Sequence, residues 1–136
     1  MMWNCHEISA STSAPALERR RCVLIADDNP LVRTVVRFFV ECHKGLEVCG
    51  EATDGVDVIE KAKELRPDLI VLDLSMPRMN GLEAASKLKR IMPQVPIILF
   101  TMYKEQLGNS PVGVDAVLAK PDGMTGLVEC VQRLLS

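Results

Sequence analysis

From Cys22 onward, short apolar runs alternate with segments whose apolar residues recur at helical spacing. "CVLIA" (22–26) is almost wholly aliphatic and predicts a buried strand. Asn29 then offers an N-cap, and Pro30 a first helical residue whose missing N–H costs nothing there. In the helix they begin, Arg33, Arg37, Glu41 and Lys44 form one polar stripe, with Leu31, Val35, Val36, Phe39 and Val40 on the other side. Gly45 is placed to end it. "LEVCGEA" alternates and predicts a second, more exposed strand. Residues 56–66 carry Val58, Ile59, Ala62 and Leu65 on one face, and Pro67 stops that helix. "DLIVLDL" and "VPIILFT" are apolar runs of the kind buried on both faces of a parallel sheet. Between them, "SMPRMN" reads as a loop and 81–92 as a helix with Ala84, Ala85, Leu88 and Ile91 inward. "DAVLA" is a short fifth strand, and Met124, Leu127, Val128, Val131, Leu134 and Leu135 make the last segment an amphipathic helix.

Strands alternating with helices imply an α/β domain: a parallel sheet, right-handed crossovers, and helices on both faces. The pattern falters at "KEQLGNSPVGV" (104–114). There Gly108, Asn109, Ser110, Pro111 and Gly113 stand where a fourth helix is due, so a turn or two is the most expected. In doubly wound folds the functional crevice lies outside the carboxyl ends of the strands. Asp27 and Asp28, Asp73, Thr101 and Lys120 occupy those ends. Taken singly each has a bland reading: an acidic pair favoured by a helix dipole, an Asp opening a turn, a β-forming Thr, a Lys-Pro turn. Delivery of all of them to one rim by four separate strands favours a site.

Length and charge narrow the options. A chain of 136 residues is one domain by size and buries a real core without staples. A formal net charge of −2 with 25% charged residues offers no large positive field for nucleic acid or an anionic membrane. No apolar run reaches the roughly 18 residues that a membrane span needs. Residues 1–20 have no continuous apolar h-region and read as a flexible leader, with the domain over 21–136. Cys5, Cys22, Cys42, Cys49 and Cys130 lack any CxxC spacing. They are expected to be the reduced thiols of a cytoplasmic protein rather than a zinc site or disulfide framework. His6 and His43 read as surface residues, Met76, Met79 and Met92 as packing, and Trp3 has no assigned role.

Three clustered carboxylates raise one another's pKa unless a cation neutralises them. A hard divalent ion with oxygen ligands answers that need: Mg²⁺, with Mn²⁺ as a substitute, bound by two or so carboxylates, a backbone carbonyl and water. Lys120 adds a compact positive charge suited to a phosphoryl group, and the Thr101 hydroxyl can donate to one of its oxygens. A carboxylate held between such an ion and a lysine is a phosphoryl acceptor. Neither GxGxxG nor GxxxxGK[ST] occurs, so a nucleotide site has no support.

The motifs "ADDNPLVR", "PDLIVLDLSMPRMNGLEA", "PIILFT" and "AKP", in this order and spacing, resemble the receiver domain of bacterial two-component response regulators over roughly 21–135. "GEATDGVDVIEKAKELRPDLIVLDL" most resembles receivers of the NarL/FixJ type, which often precede a helix-turn-helix output domain. The resemblance implies a flavodoxin-like (βα)5 fold and makes Asp73 the phosphoacceptor. It makes Asp28 the main acidic metal ligand, Asp27 a supporting one and the Ser75 carbonyl a further ligand. Thr101 becomes the switch hydroxyl, Lys120 the phosphate-contacting lysine, and Lys120–Pro121 a cis peptide. Asp68 marks only the start of a strand. Two departures stand out: Val117 occupies a position where the family usually has Tyr or Phe, and 101–120 is short by about a helical turn. Tyr103 is expected to shield the site from water, and Ser75 to influence dephosphorylation.

The expected function is therefore a signalling phosphoacceptor, not an enzyme. Its donor would be a sensor histidine kinase or phosphotransfer protein, with homodimerisation left open and no contact with nucleic acid or membrane. Two other readings compete. One is a phosphorylation-independent interaction scaffold, encouraged by Val117 and the broken fourth-helix segment. The other is an Asp-nucleophile phosphohydrolase, whose DxDx[TV] pattern "ADDNP" lacks. No output module follows Ser136, so a stand-alone receiver and a piece of a larger regulator are both open.

Overall fold

The computed structural model describes residues 20–102, 104–107 and 113–136. Five strands, β1 (Arg21–Ala26), β2 (Leu46–Ala52), β3 (Leu69–Leu72), β4 (Ile97–Thr101) and β5 (Ala116–Ala119), form one parallel sheet in the order β2-β1-β3-β4-β5. Among the described residues, four α-helices connect and cover it: α1 (Pro30–Glu41), α2 (Gly55–Leu65), α3 (Gly81–Ile91) and α4 (Met124–Leu135). The doubly wound (βα)5 expectation holds, including its weak point. In the described part of 104–114, a 3₁₀ turn at Lys104–Leu107 stands where a helix was due. Gly108, Asn109, Ser110 and Pro111, like the 1–19 leader and Tyr103, lie outside the described residues.

Strand alternation builds two cores at once, because successive side chains point to opposite faces. Val23 and Ile25 of β1 join Val36 and Val40 of α1 and Leu127 and Val131 of α4 on one face. Leu24 and Ala26 join Val58 and Ala62 of α2 and Ala84, Ala85 and Leu88 of α3 on the other. A sheet covers only a stripe of each helix, so three residues assigned inward are not core. Leu31 is 68%, Phe39 38% and Ile91 45% exposed.

Polar residues start the helices. The side chains of Asn29, Asp54 and Asn80 accept hydrogen bonds from the N–H groups of Leu31, Asp57 and Glu83, satisfying donors that the first turn leaves open. Arg66 closes α2 in a left-handed conformation just before Pro67. α1 ends at Glu41, short of Gly45, which takes positive φ in the turn to β2 and accepts the Arg21 N–H at 2.7 Å. Asp68 does more than begin a strand: its Oδ2 accepts the Cys22 N–H at 2.7 Å and ties β3 to β1.

Two further expectations fail. There is no cis peptide bond among the described residues, so Lys120–Pro121 is trans; Pro121 sits inside a 3₁₀ turn (Lys120–Asp122) that reverses the chain without one. The reduced-thiol reading also fails for one pair. Cys22 on β1 and Cys49 on β2 are joined as a disulfide, their Cα atoms 5.4 Å apart. The register of β1 against β2 slips between Val23 and Leu24, which leaves Cys49 as the extra residue beside β1. Sequence spacing carries no trace of that slip. Cys42 and Cys130 form no disulfide among the described residues.

Candidate functional site

The carboxyl ends of β1, β3, β4 and β5 lie side by side, and each ends in or directly precedes a residue with reactive chemistry. β1 ends at Ala26, and the Asp27 N–H continues the ladder to the Ala52 carbonyl at 3.0 Å. β3 ends at Leu72, and the Asp73 N–H bonds the Ala26 carbonyl at 2.9 Å. The backbone is thus still held in the sheet where the carboxylates begin. Thr101 is the last residue of β4, fully buried, and its register partner Ala119 directly precedes Lys120.

Asp27, Asp28 and Asp73 each bring a carboxylate oxygen within 4.8 Å of the others. Asp27 and Asp73 are buried, at 3% and 7% exposure, whereas Asp28 is exposed. The Lys120 Nζ reaches between the buried pair, 2.7 Å from Asp27 Oδ2 and 3.3 Å from Asp73 Oδ1. Asp27 is committed twice, since its Oδ1 also accepts the Asn29 N–H at 2.9 Å. Asp28 is exposed, with a carboxylate oxygen still within 4.8 Å of the buried pair.

Electrostatics follow from this crowding. Burial pushes the Asp73 carboxyl above the usual range, and the charges of Asp27 and Asp28 push the same way against Lys120. Burial alone would lower the Lys120 pKa, but the hydrogen bond to Asp27 and the charges of Asp73 and Asp27 outweigh it and hold the ammonium above its usual range. Three clustered carboxylates, two of them buried, have one ammonium among them. The set is all oxygen, hard and short of positive charge, and therefore fits a small divalent cation.

Three supports were not readable from the sequence. Arg33, assigned to a solvent stripe, donates from Nη1 to the Asp27 carbonyl at 2.7 Å and from Nε to Glu51 at 2.9 Å, bracing the strand end against β2. Gly81 packs so close to the loop after Asp73 that a Cβ there would overlap the Asp73 carbonyl oxygen. Its N–H closes that loop on the Leu74 carbonyl at 2.7 Å. Arg78, in the same loop with φ +65°, forks onto both oxygens of Asp54, the N-cap of α2. The Glu51 partner of Arg33 and the Asp54 partner of Arg78 are 18 and 24 residues away and leave no local signal. Ser75 is exposed in the loop after Asp73. Val117, half-buried and paired in register with Leu99, packs into the α2/α3-side core.

Comparison with known proteins agrees with the geometry. The response regulator receiver domain family matches residues 23–132. The response regulator protein VraR of Staphylococcus epidermidis is 34% identical over 114 residues, covering 82% of this chain and 54% of that protein. A protein-glutamate methylesterase/protein-glutamine glutaminase of Pyrococcus horikoshii is 38% identical over 104 residues, 76% of this chain and 26% of that protein. The chain thus spans about half or less of the curated relatives it matches. Among solved structures, the response regulator protein TrrA from Thermotoga maritima in complex with Mg²⁺-BeF superposes with a TM-score of 0.77 at 28% identity, covering 85% of this chain and 99% of that one.

Proposed function

This chain belongs to the response regulator receiver domain family, and we propose that Asp73 is the residue at which it accepts a phosphoryl group from a histidine kinase or phosphotransfer protein. The observation that carries the reading is the Lys120 ammonium bridging buried Asp27 and Asp73, with exposed Asp28 beside them.

In the proposed step, a carboxylate oxygen of Asp73 attacks the phosphorus of a phosphohistidine. One P–O bond forms, the P–N bond breaks, and the leaving imidazole keeps the bonding electron pair and takes a proton from solvent. The product is a mixed anhydride on Asp73. Because burial raises the Asp73 pKa, the lysine beside it keeps the nucleophile ionised. As charge shifts to the transferring group, the Lys120 ammonium, 3.3 Å from Asp73 Oδ1, is placed to meet its oxygens. Asp28, Asp27 and Asp73, with the Ser75 carbonyl, would hold Mg²⁺, which when bound supplies further neutralisation of the phosphoryl oxygens. Thr101, at the end of the neighbouring strand, would donate its hydroxyl to the product.

The rim chemistry favours transfer to the protein over turnover: no cap encloses a substrate pocket above Asp73 among the described residues, which disfavours a phosphohydrolase. Ser75 would influence how quickly the product hydrolyses. With a histidine kinase as donor, the reaction would take place in the cytoplasm. The matched regions cover 54% and 26% of those relatives, and control of transcription by an attached output domain belongs to the same proposal.

One observation favours a second reading, the scaffold. The 3₁₀ turn at Lys104–Leu107 and the half-buried Val117 replace a full helix and an aromatic at the face beside β5. A single experiment separates the two. Acetyl phosphate with Mg²⁺ should add one phosphoryl mass to the wild type and none to Asp73→Asn, while EDTA blocks the gain. A wild-type mass that never changes gives the scaffold reading the decision.

A further inference from the structure

The outer faces of α2 and α3 meet along a seam that the phosphoacceptor chemistry does not use. Two hollows of about 410 and 490 Å³ lie on it and share Lys63 and Ile91, so they form one continuous groove. Val56, Ile59 and Met79 make its floor near the Asp73 loop, and Ile91, Met92 and Val95 make it at the far end. Ile91, at the junction, is 45% exposed although its spacing belongs with the core face of α3.

The rim is basic. Lys63, Arg66, Lys87 and Arg90 line the groove against one carboxylate, Glu60. Among the described residues none of these four enters an ion pair, whereas Lys61 pairs with Asp57, Arg78 with Asp54 and Lys89 with Asp115 nearby. The chain's net charge is −2, so a seam with four cations to one anion runs against the molecule's own balance. An apolar floor that is partly buried except at exposed Ile91, flanked by four unpaired cations and one carboxylate, is the composition of a recognition surface rather than of a solvated helix face.

We propose that this groove docks an acidic amphipathic segment of a partner protein, its apolar side chains on the Ile59–Ile91 floor and its carboxylates against Lys63, Arg66, Lys87 and Arg90. Charge complementarity selects the occupant. No aromatic side chain lines the groove to stack a base, and a phosphate backbone held by the rim cations would leave the apolar floor uncovered, which favours an acidic amphipathic peptide over nucleic acid. The seam follows helices of 11 residues, about 16 Å long, so three turns of an amphipathic helix fill it. The inference is independent of whether Asp73 is phosphorylated.

The test uses the full chain and a fluorescein-labelled peptide of about 16 residues, with Leu and Ile on one helical face and Glu flanking them. A scrambled peptide, a single-stranded oligonucleotide and a protein-concentration series run in parallel. Saturable binding should move the backbone amide resonances of Ile59, Lys63, Arg90 and Ile91. The double variant Lys63→Glu/Arg90→Glu should weaken it about tenfold or more, and Ile91→Ser about fivefold. A Lys44→Glu control should leave it unchanged. All are solvent-facing changes, and unaltered circular dichroism verifies the fold. Equal affinity for the scrambled peptide or for the double variant overturns the proposal. So does tighter binding of the oligonucleotide, which makes the seam a nucleic-acid site. Self-association that the double variant abolishes overturns it as well, by assigning the seam to a second copy of the chain.

Discussion

Replacing Lys120 with Met tests the electrostatic logic of the rim directly. The substitution keeps an unbranched side chain of similar length and removes only the ammonium. Asp27 and Asp73, both nearly enclosed, then face each other with no cation at 2.7 and 3.3 Å. Removing one partner of a buried, hydrogen-bonded pair costs about 3–5 kcal/mol, because the remaining charge stays desolvated and uncompensated. With a slope of about 1.5 kcal/mol per molar urea for a domain this size, the lower figure moves the unfolding midpoint down by about 2 M. The measurement is urea denaturation at neutral pH in EDTA, where the site's own charges are isolated. Two companions sharpen it. Mg²⁺ at a hundred times its dissociation constant should restore about 2.7 kcal/mol to any form that binds it. Adding Asp27→Asn to Lys120→Met should regain stability relative to the single variant, since one of two unpaired carboxylates disappears. A loss under about 1 kcal/mol in EDTA, or a double variant less stable than Lys120→Met alone, would refute the claim that Lys120 neutralises this pair.

Other outcomes follow from single contacts. Gly81→Ala forces a Cβ into the Asp73 carbonyl oxygen and should cost about 1–3 kcal/mol in urea unfolding while slowing phosphoryl uptake from acetyl phosphate. Asp54→Ala removes the cap that holds the Asp57 N–H at 2.8 Å and should cost about 1 kcal/mol. That N–H bond and the Arg78 fork lower the Asp54 pKa. Its contribution is therefore present above the unfolded value near 3.8 and is lost as pH falls through the lower folded value, so the wild-type advantage over Asp54→Ala should fade in acid titrations. The Lys120 shift has the opposite form: its contribution is complete below the unfolded value of 10.5 and lost as pH rises through the folded one, which alkaline unfolding of wild type against Lys120→Met should display. Phe100→Ala, at a fully buried position on the α1/α4 side, should cost about 3–5 kcal/mol by calorimetry or denaturant.

Much of this molecule is written in local patterns. The apolar runs at β1, β3 and β4 are unambiguous because both faces of a central parallel strand are buried. The caps at Asn29 and Asn80 are equally local, since a cap needs only a side-chain oxygen and the N–H two or three residues on. The meeting of Asp27, Asp28, Asp73 and Lys120 was also legible, though indirectly: once the strands are parallel, their carboxyl ends share one rim, and chemistry at those ends converges.

What sequence pattern missed depends on geometry between elements. How wide a stripe each helix buries is set by the sheet beneath it, so Leu31, Phe39 and Ile91 kept core spacing yet stand in solvent. A slip of one residue between β1 and β2 put Cys49 beside Cys22, and register between strands leaves no mark on either strand's own pattern. The Lys120–Pro121 bond is trans, within a 3₁₀ turn that the dipeptide alone does not announce. Arg33 and Arg78 look like ordinary surface cations along the chain; only the packed fold brings them to Asp27 and Asp54. The sequence by itself determined the strand and helix alternation and the acidic rim, because those rest on periodicity and topology. The tertiary structure alone decided which charges are paired and which, along the α2–α3 seam, are left open, because pairing is a matter of distances between residues that the chain keeps far apart.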